Sequence, residues 1–304
     1  MNQAAYAAVD WGTSSFRLWL IDRTGHVLAE RRSDEGMTRA ATIGFAAVLQ
    51  GHLGAVGAAA DLPVIICGMA GARQGWVEVG YVDTPAPLDA ILAGAVTVPG
   101  QSRDIRILPG IAQRCTSAPD VMRGEETQLL GALGNDAAGE ALVCMPGTHS
   151  KWAEIRNGTV ARFATFMTGE LFAAISHGTI LAHAILGAEA AEDRSAFQHA
   201  VVEAFKTPAR AANLLFRVRS RQLLFGGSPA AAQETISGTL IGLELAAGLA
   251  EGAPRGNLTL VASGRLAVLY RLAFDTLSVA VQCIDADAAV LAGLSRAAAA
   301  TWTR

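Results

Sequence analysis

Charge of either sign is scarce in this chain: Asp, Glu, Lys and Arg make up 17% of its 304 residues, the formal net charge is -3, and the 24 Lys and Arg residues form no cluster. Nucleic acids and anionic membrane surfaces are recognised by basic patches, so neither is an expected partner. Cysteine is equally thin. Cys67, Cys115, Cys144 and Cys283 stand far apart, with no C-x-x-C pair and each in or beside an apolar run. Reduced thiols in a cytosol are therefore expected. The six histidines show no ligand spacing on a shared helix face, which argues against zinc. No run of about 18 apolar residues is free of charges or glycines, and the opening MNQAAYAAVD lacks a basic segment ahead of an apolar one. Neither a membrane span nor an export signal is read. What the chain does have is apolar bulk: 51% hydrophobic residues over 304 positions is enough for two domains with full cores. Small ligands and a cytoplasmic location are the expectation.

The chain is organised around Val9-Asp10-Trp11-Gly12-Thr13-Ser14-Ser15-Phe16-Arg17. An apolar run from Ala7 to Val9 meets an acid, a tight Gly-Thr-Ser-Ser turn follows, and Phe16, Leu18 and Leu20 alternate on the returning strand. Gly12 admits a ligand close to the backbone, and the hydroxyls of Thr13, Ser14 and Ser15 add donors to splayed N–H groups, which suits a phosphate. The stretch Met145-Pro146-Gly147-Thr148-His149-Ser150-Lys151-Trp152 repeats the order strand, Gly-Thr, polar pair, strand. Asn157-Gly158 closes the next turn as Thr24-Gly25 does in the first copy. Either hairpin alone is an ordinary β-turn. Two of them, half a chain apart, read as a duplicated domain whose halves face one nucleotide.

The elements after each hairpin follow one order. In the first half, Phe16 to Ile21 and His26 to Arg31 complete a meander, and Gly44 to Ala60 has helical spacing. Pro63 to Cys67 is a buried strand that enters the Gly-rich loop Gly68 to Trp76. A short helix is expected near Leu88 to Leu92, and Ile105 to Leu108 is a strand stopped by Pro109-Gly110. In the second half, Ala141 to Met145, His149 to Ile155 and Thr159 to Phe166 form the meander, and Thr168 is placed to cap a helix. Helical Ala-rich insertions run from Ala190 to Phe205 and from Leu214 to Leu224, then Ser237 to Glu251 is an apolar helix. The strand Leu258 to Ala262 ends in Ser263-Gly264-Arg265, and a helix from Leu266 to Leu277, a strand Val279 to Ile284 and a helix Ala288 to Ala300 complete the chain. The repeated order βββαβαβ predicts an α/β protein of two similar lobes with a cleft between them. At the junction, Arg123-Gly124 leads into a helix with Glu125 and Glu126 in its first turn. The helix dipole alone favours carboxylates there. The functional alternative is that one of them points into the cleft as a general base.

Asp10-x-Gly12-Thr13 in the first hairpin, Gly147-Thr148 in the second and Ala262-Ser263-Gly264 before a helix together resemble the actin, hexokinase and Hsp70 superfamily of ATP-binding proteins. There the matching segments are called phosphate 1, phosphate 2 and adenosine. Four stretches, VDWGTSSFRLWL, CGMAGARQGW, VMRGEETQLLGA and MPGTHSKW followed by FMTGEL, are similar to the 2-dehydro-3-deoxygalactonokinase family. The likeness runs along essentially the whole chain, Asp285 to Leu294 included. It implies two ribonuclease H-like lobes, residues 1–133 with phosphate 1 and the sugar-acid site and residues 134–304 with phosphate 2 and adenosine. It also implies transfer of the γ-phosphoryl group of MgATP to the 6-hydroxyl of 2-dehydro-3-deoxy-D-galactonate, a step of galactonate breakdown. In such a transfer the protein positions the reactants and offsets charge while a base accepts the hydroxyl proton.

The resemblance assigns roles residue by residue. Asp10 is the Mg²⁺ residue, acting through water. Gly12, Thr13 and Ser14, with Gly147 and Thr148, cradle the phosphates, and Ser263 and Gly264 lie under the adenosine. Gly124-Glu125-Glu126 stands where related sugar kinases carry Gly-Asp-Gln, whose Asp is the base. Glu125 is accordingly the expected base, with Glu126 as a metal or substrate ligand. Arg73 and Arg123 are candidates for the substrate carboxylate, which a planar guanidinium suits. Arg17 and Lys151 either offset phosphate charge or face solvent. Expected partners are the small sugar acid and, at most, a second copy of the chain. Two alternatives stand beside this reading: a kinase for another small sugar or deoxy-keto acid on the same fold, or a nucleotide-switched partner-binding protein, for which no peptide-binding or polymerisation extension is visible.

Overall fold

Strand β1 (Ala4–Trp11) carries Ala7, Ala8, Val9 and Trp11, all buried, so its inner half has no wet face and belongs in the middle of a sheet. The computed structural model describes residues 3–134, 139–188, 193–250 and 257–302. After β1 come β2 (Phe16–Asp22), β3 (Val27–Ser33), α1 (Met37–Ile43), α2 (Phe45–Ala55) and β4 (Val64–Gly68). Next are β5 (Tyr81–Asp83), β6 (Ala86–Pro87), α3 (Leu88–Ala93), β7 (Val96–Thr97), β8 (Ile105–Ile107), β9 (Gly110–Cys115), β10 (Ala118–Met122) and α4 (Glu125–Leu133). The chain continues through β11 (Glu140–Met145), β12 (Ser150–Arg156), β13 (Thr159–Phe166), α5 (Thr168–Gly178), α6 (Ala182–Ile185), α7 (Arg194–Lys206), α8 (Ala211–Phe225) and α9 (Pro229–Gly248). It closes with β14 (Asn257–Val261), α10 (Gly264–Thr276), β15 (Gln282–Ile284) and α11 (Ala286–Trp302).

Two compact units result: Met1–Gly139 with Ile155–Phe163 and Ile284–Arg304, and Glu140–Glu154 with Ala164–Cys283. The first unit holds a sheet of order β3-β2-β1-β4-β8-β7, in which β1 is antiparallel to β2 and parallel to β4. Trp11, Phe16 and Leu18 from the sheet meet Phe45, Val48, Leu49 and Leu53 from α2, whose spacing of three and four residues gives one apolar stripe. Helix α11 packs on α4 at close range. A Cβ on Gly131 would lie 1.8 Å from the Ala289 carbonyl oxygen, and one on Gly293 2.0 Å from that of Thr127. A smaller sheet of order β10-β9-β5 completes the unit, and β6 pairs with the start of β13.

The second unit repeats the plan with strand order β15-β14-β11-β12-β13, where β11 and β14 run parallel. Its core joins Leu142, Cys144, Trp152 and Leu260 from the strands to Tyr270 and Phe274 of α10 and Ile241 and Leu245 of α9. Helices α7 and α9 touch through Gly238 and Gly242, where any Cβ would meet the Phe197 and Val201 carbonyl oxygens.

The expected order is therefore present in both halves, with local differences. The helix expected over Gly44 to Ala60 stops at Ala55 and is preceded by α1, while the hairpin of β9 and β10 is additional. Helix α9 begins at Pro229 rather than Ser237, because the Ser228 side chain caps it, accepting from the Ala231 N–H at 3.1 Å. Thr168 is not an N-cap: it is the first residue of α5, and its hydroxyl donates to Glu244 instead. Met1 and Asn2 of the opening segment, the expected helix start at Ala190 and the expected helix end at Glu251 lie outside the described residues. Among the described residues no helix is long and apolar enough to cross a membrane.

Candidate active site

In the first unit, Asp10 lies at the end of β1, opposite Arg17 on β2 and Cys67 on β4. Three backbone segments converge beside it. Gly68, with φ 90°, is so close that a Cβ would sit 2.6 Å from the Trp11 carbonyl oxygen, and Gly124, with φ 111°, packs on Gly68. Only glycine takes such backbone angles without strain. The convergence brings Glu125, the first residue of α4, into the electrostatic reach of Asp10, and Glu126 into that of Cys67. Burial pushes the Asp10 carboxyl up from its ordinary value, the Arg17 charge and a thiol hydrogen bond from Cys67 oppose this, and the Glu125 charge adds to the rise.

The two glutamates differ. Glu126 is wholly buried, its Oε2 accepting from the Gly124 N–H at 2.6 Å and its Oε1 from the Thr127 hydroxyl at 3.0 Å. Burial first, and the Glu125 charge second, raise its carboxyl to about 7. Glu125 is half-buried, with one oxygen accepting from the Arg123 N–H at 3.1 Å.

The Gly12 to Ser15 turn is closed by the Gly12 N–H donating to the Ser15 carbonyl at 2.9 Å, and α1 supports it from behind. Met37 and Thr38 N–H groups donate to the Gly12 and Thr13 carbonyls, and a Cβ on Gly36 would be 2.5 Å from the Ser14 and Ser15 backbone. Thr13 and Ser14 are exposed at the tip. Arg17 is half-buried and paired: it bonds Asp287 in the first turn of α11, and Arg32 holds the same carboxylate at 2.9 Å. Arg123 stands over the Tyr81 ring at 4.4 Å and donates Nη2 to the Val79 carbonyl at 2.7 Å. Its Nε and Nη1 are buried with no partner among the described residues. Gly71 makes room for it, since a Cβ there would lie 2.9 Å from Nη1. Arg73, on the same Gly-rich loop, is exposed.

In the second unit, Gly147 and Thr148 form the turn after β11, and α5 braces it: a Cβ on Gly169 would be 2.5 Å from the Gly147 carbonyl oxygen, and the Glu170 N–H donates to the Thr148 carbonyl at 3.0 Å. Lys151 is buried, its Nζ donating to the His149 carbonyl at 3.2 Å. Ser263 precedes α10 without a side-chain cap bond, and Gly264 takes the left-handed φ of 60°. Beneath these turns the buried Glu244 accepts from Trp152 Nε1 at 2.9 Å, from Tyr270 Oη at 2.6 Å and from the Thr168 hydroxyl. The Glu244 carboxylate thereby ties β12, α5 and α10 to α9. Thr168, Gly169 and Tyr270 then help line a cavity of about 320 Å³ that reaches Gly147. A larger cavity of about 940 Å³ among α7, α8 and α9 contains none of the residues singled out in the sequence.

The sequence pattern of the 2-keto-3-deoxy-galactonokinase family matches residues 10–297. The chain belongs to that family. The kinase is 58% identical, over 98% of its length and 97% of the relative's, to a Rhizobium meliloti (strain 1021) protein assigned as 2-dehydro-3-deoxygalactonokinase DgoK1. It is 34% identical to the Escherichia coli (strain K12) 2-dehydro-3-deoxygalactonokinase, over 96% of both chains. A crystal structure of a Sinorhizobium meliloti protein assigned the same activity superposes with a TM-score of 0.94 at 56% identity, covering 98% of this chain and 100% of that one. The ADPNP-bound activator of 2-hydroxyisocaproyl-CoA dehydratase from Clostridium difficile aligns at a TM-score of 0.50 and 12% identity over 98% and 96% of the two chains, a likeness of fold alone.

This carbohydrate kinase of actin-like fold uses ATP, and its turns have room for one: Gly147 and Gly169 keep side chains away from the second turn, and the adjoining cavity is of small-ligand size. Among the described residues no three His, Cys, Asp or Glu side chains are grouped to hold a metal. Mg²⁺ does not need such a group, because it keeps several waters and takes one or two carboxylates besides substrate phosphates, so Asp10 fits it. The bracing glycines Gly36, Gly68, Gly71 and Gly169 were not read from the sequence, nor was Glu244. A signal for Glu244 exists, as the lone acid within the apolar stretch LIGLELAAGLA.

Proposed function

We propose that the kinase transfers the γ-phosphoryl group of ATP to the 6-hydroxyl of 2-dehydro-3-deoxy-D-galactonate in the cytoplasm, with Mg²⁺ as the divalent ion. The observation that carries this reading is Arg123, whose guanidinium Nε and Nη1 are buried without a hydrogen-bond partner among the described residues, on the residue whose backbone N–H holds the Glu125 carboxylate. A buried cation with unused donors favours an anionic ligand, and a sugar acid supplies a carboxylate. Arg123 would hold that carboxylate, with Arg73 reaching it from the Gly-rich loop. Glu125 would accept the 6-hydroxyl proton as the new O–P bond forms and the bond from the γ-phosphorus to its bridging oxygen breaks, releasing ADP. Glu126, with both oxygens engaged, would orient this loop. Asp10 would hold Mg²⁺ through its waters, and the bound ion would neutralise charge on the phosphates. Residues 1–133 would contribute Gly12, Thr13 and Ser14 and the sugar-acid site, and residues 134–304 Gly147, Thr148, Ser263 and Gly264, all to one ATP. A homodimer would give cover to Leu223, Leu224 and Phe225 at the end of α8, which are 65%, 73% and 81% exposed; sedimentation tests it.

The deciding experiment compares turnover of 2-dehydro-3-deoxy-D-galactonate with that of its neutral analogue lacking the carboxylate. The acid should lead in kcat/KM by about 10- to 100-fold, the worth of charged hydrogen bonds, and Arg123→Leu should abolish the preference. Equal turnover of the two would overturn the acceptor assignment. Higher turnover of another 2-keto-3-deoxy acid would move the reading to that acceptor.

A further inference from the structure

Two polar side chains of α9 in the second unit face a slot whose facing walls are largely apolar. Gln233 and Ser237 stand one turn apart on α9, and both line the cavity of about 320 Å³ that reaches Gly147. Ser237 is only 7% exposed, and neither its hydroxyl nor the Gln233 amide has a hydrogen-bond partner among the described residues. The walls beside them are Leu240 and Ile241 of α9, Leu266 and Leu269 of α10, and Phe172 of α5. Arg265 at the start of α10 also borders the slot and is held there by Glu234, Nη2 to Oε1 at 2.6 Å. Gln233 is half-buried, and both groups are reachable from the cavity, so their hydrogen-bonding capacity is open to a ligand that enters it.

We propose that Gln233 and Ser237 read the edge of the nucleotide base and so determine which nucleoside triphosphate the kinase accepts. The proposal rests on assigning the Gly147 turn and Ser263-Gly264 to the nucleotide. A purine is flat and apolar on its faces and polar along its edge, which matches leucine, isoleucine and phenylalanine walls with an amide and a hydroxyl at one side. A glutamine amide offers donor and acceptor together, the complement of adenine's 6-amino group and its neighbouring ring nitrogen. A ligand lacking the 6-amino group leaves the amide oxygen unpaired against the bound base, and a site built to bond a substrate N–H discriminates most against an analogue without it.

The test pairs ATP with purine riboside triphosphate, which lacks only the 6-amino group. Calorimetric binding of both to the full chain needs no acceptor and so stays readable if the sugar acid has been misassigned. The wild-type chain should bind ATP about 5- to 100-fold more tightly, and Gln233→Leu should bind the two within about twofold. Ser237→Ala should weaken ATP binding by a smaller factor. In turnover assays Gln233→Leu should raise KM for ATP and leave KM for the sugar acid unchanged. Gln233→Glu keeps the shape and removes the donor; weaker ATP binding by this variant supports the role without loss of packing. A wild-type chain indifferent to the 6-amino group, or a Gln233→Leu chain that keeps the full preference for ATP, overturns the proposal. Failure of phosphoryl transfer with intact ATP discrimination would count against the acceptor assignment alone.

Discussion

Glu126 and Glu125 sit side by side at the start of α4, yet burial divides their chemistry. A carboxyl near 7 suits proton transfer at neutral pH, but Glu126 is sealed and spends both oxygens on Gly124 and Thr127. Glu125 is the one with access. Glu125→Gln should leave ATP binding nearly intact and lower kcat about 100-fold or more, measured by calorimetry and steady-state kinetics; unchanged turnover would remove it as the base. Glu126 makes a separate prediction about stability. Its carboxyl rises from 4.5 to about 7 on folding, so between those values the folded chain binds more protons than the unfolded one. The associated stability is complete below the lower value and is lost as pH rises through the upper one, on the order of 3 kcal/mol. Glu126→Gln keeps an acceptor for the Gly124 N–H and cannot ionise. Its urea midpoint should change less than the wild-type midpoint between about pH 5 and pH 8.

Among elements, the crossing of α4 and α11 is the most demanding contact. Gly131→Ala would drive a methyl group into the Ala289 carbonyl and Gly293→Ala one into the Thr127 carbonyl, each at 2.0 Å or less. Backbone on both sides cannot yield cheaply, so either change should cost about 1–3 kcal/mol or more, read as a lower denaturant midpoint. Gly51, inside α2 with nothing near its missing Cβ, is the control: Gly51→Ala should stabilise by roughly 0.5–1 kcal/mol. In the sequence these three residues look alike, as glycines within helical spacing. Only the neighbour across the crossing distinguishes them. The same holds for Gly169, which FMTGEL displays as part of a string but which matters because Gly147 lies against it.

For the whole molecule, the two compact units are not consecutive halves of the chain, since Ile284–Arg304 returns to the first unit. Removing residues 284–304 would strip Arg17 and Arg32 of Asp287, and α4 of its Arg296 bonds to the Leu130 and Gly134 carbonyls. It would also uncover a core face filled by Val290 and Leu294. The shortened chain should lose the cooperative near-ultraviolet transition of the Trp11 and Trp76 aromatic cluster, which thermal circular dichroism would detect. By itself the sequence determined the doubled βββαβαβ order, the Gly-Thr turn at each strand end with an acid ahead of the first, and the paired glutamates in a first helical turn. Those follow from apolar period, turn residues and capping, which act over a few neighbouring positions. Tertiary structure alone decided that Glu126 is sealed and Glu125 is not, that Arg17 is taken by Asp287, that Arg123 keeps two unused donors, and that Gln233 and Ser237 look into a largely apolar slot. Each depends on residues far apart in the chain coming within contact, and no local pattern carries that information.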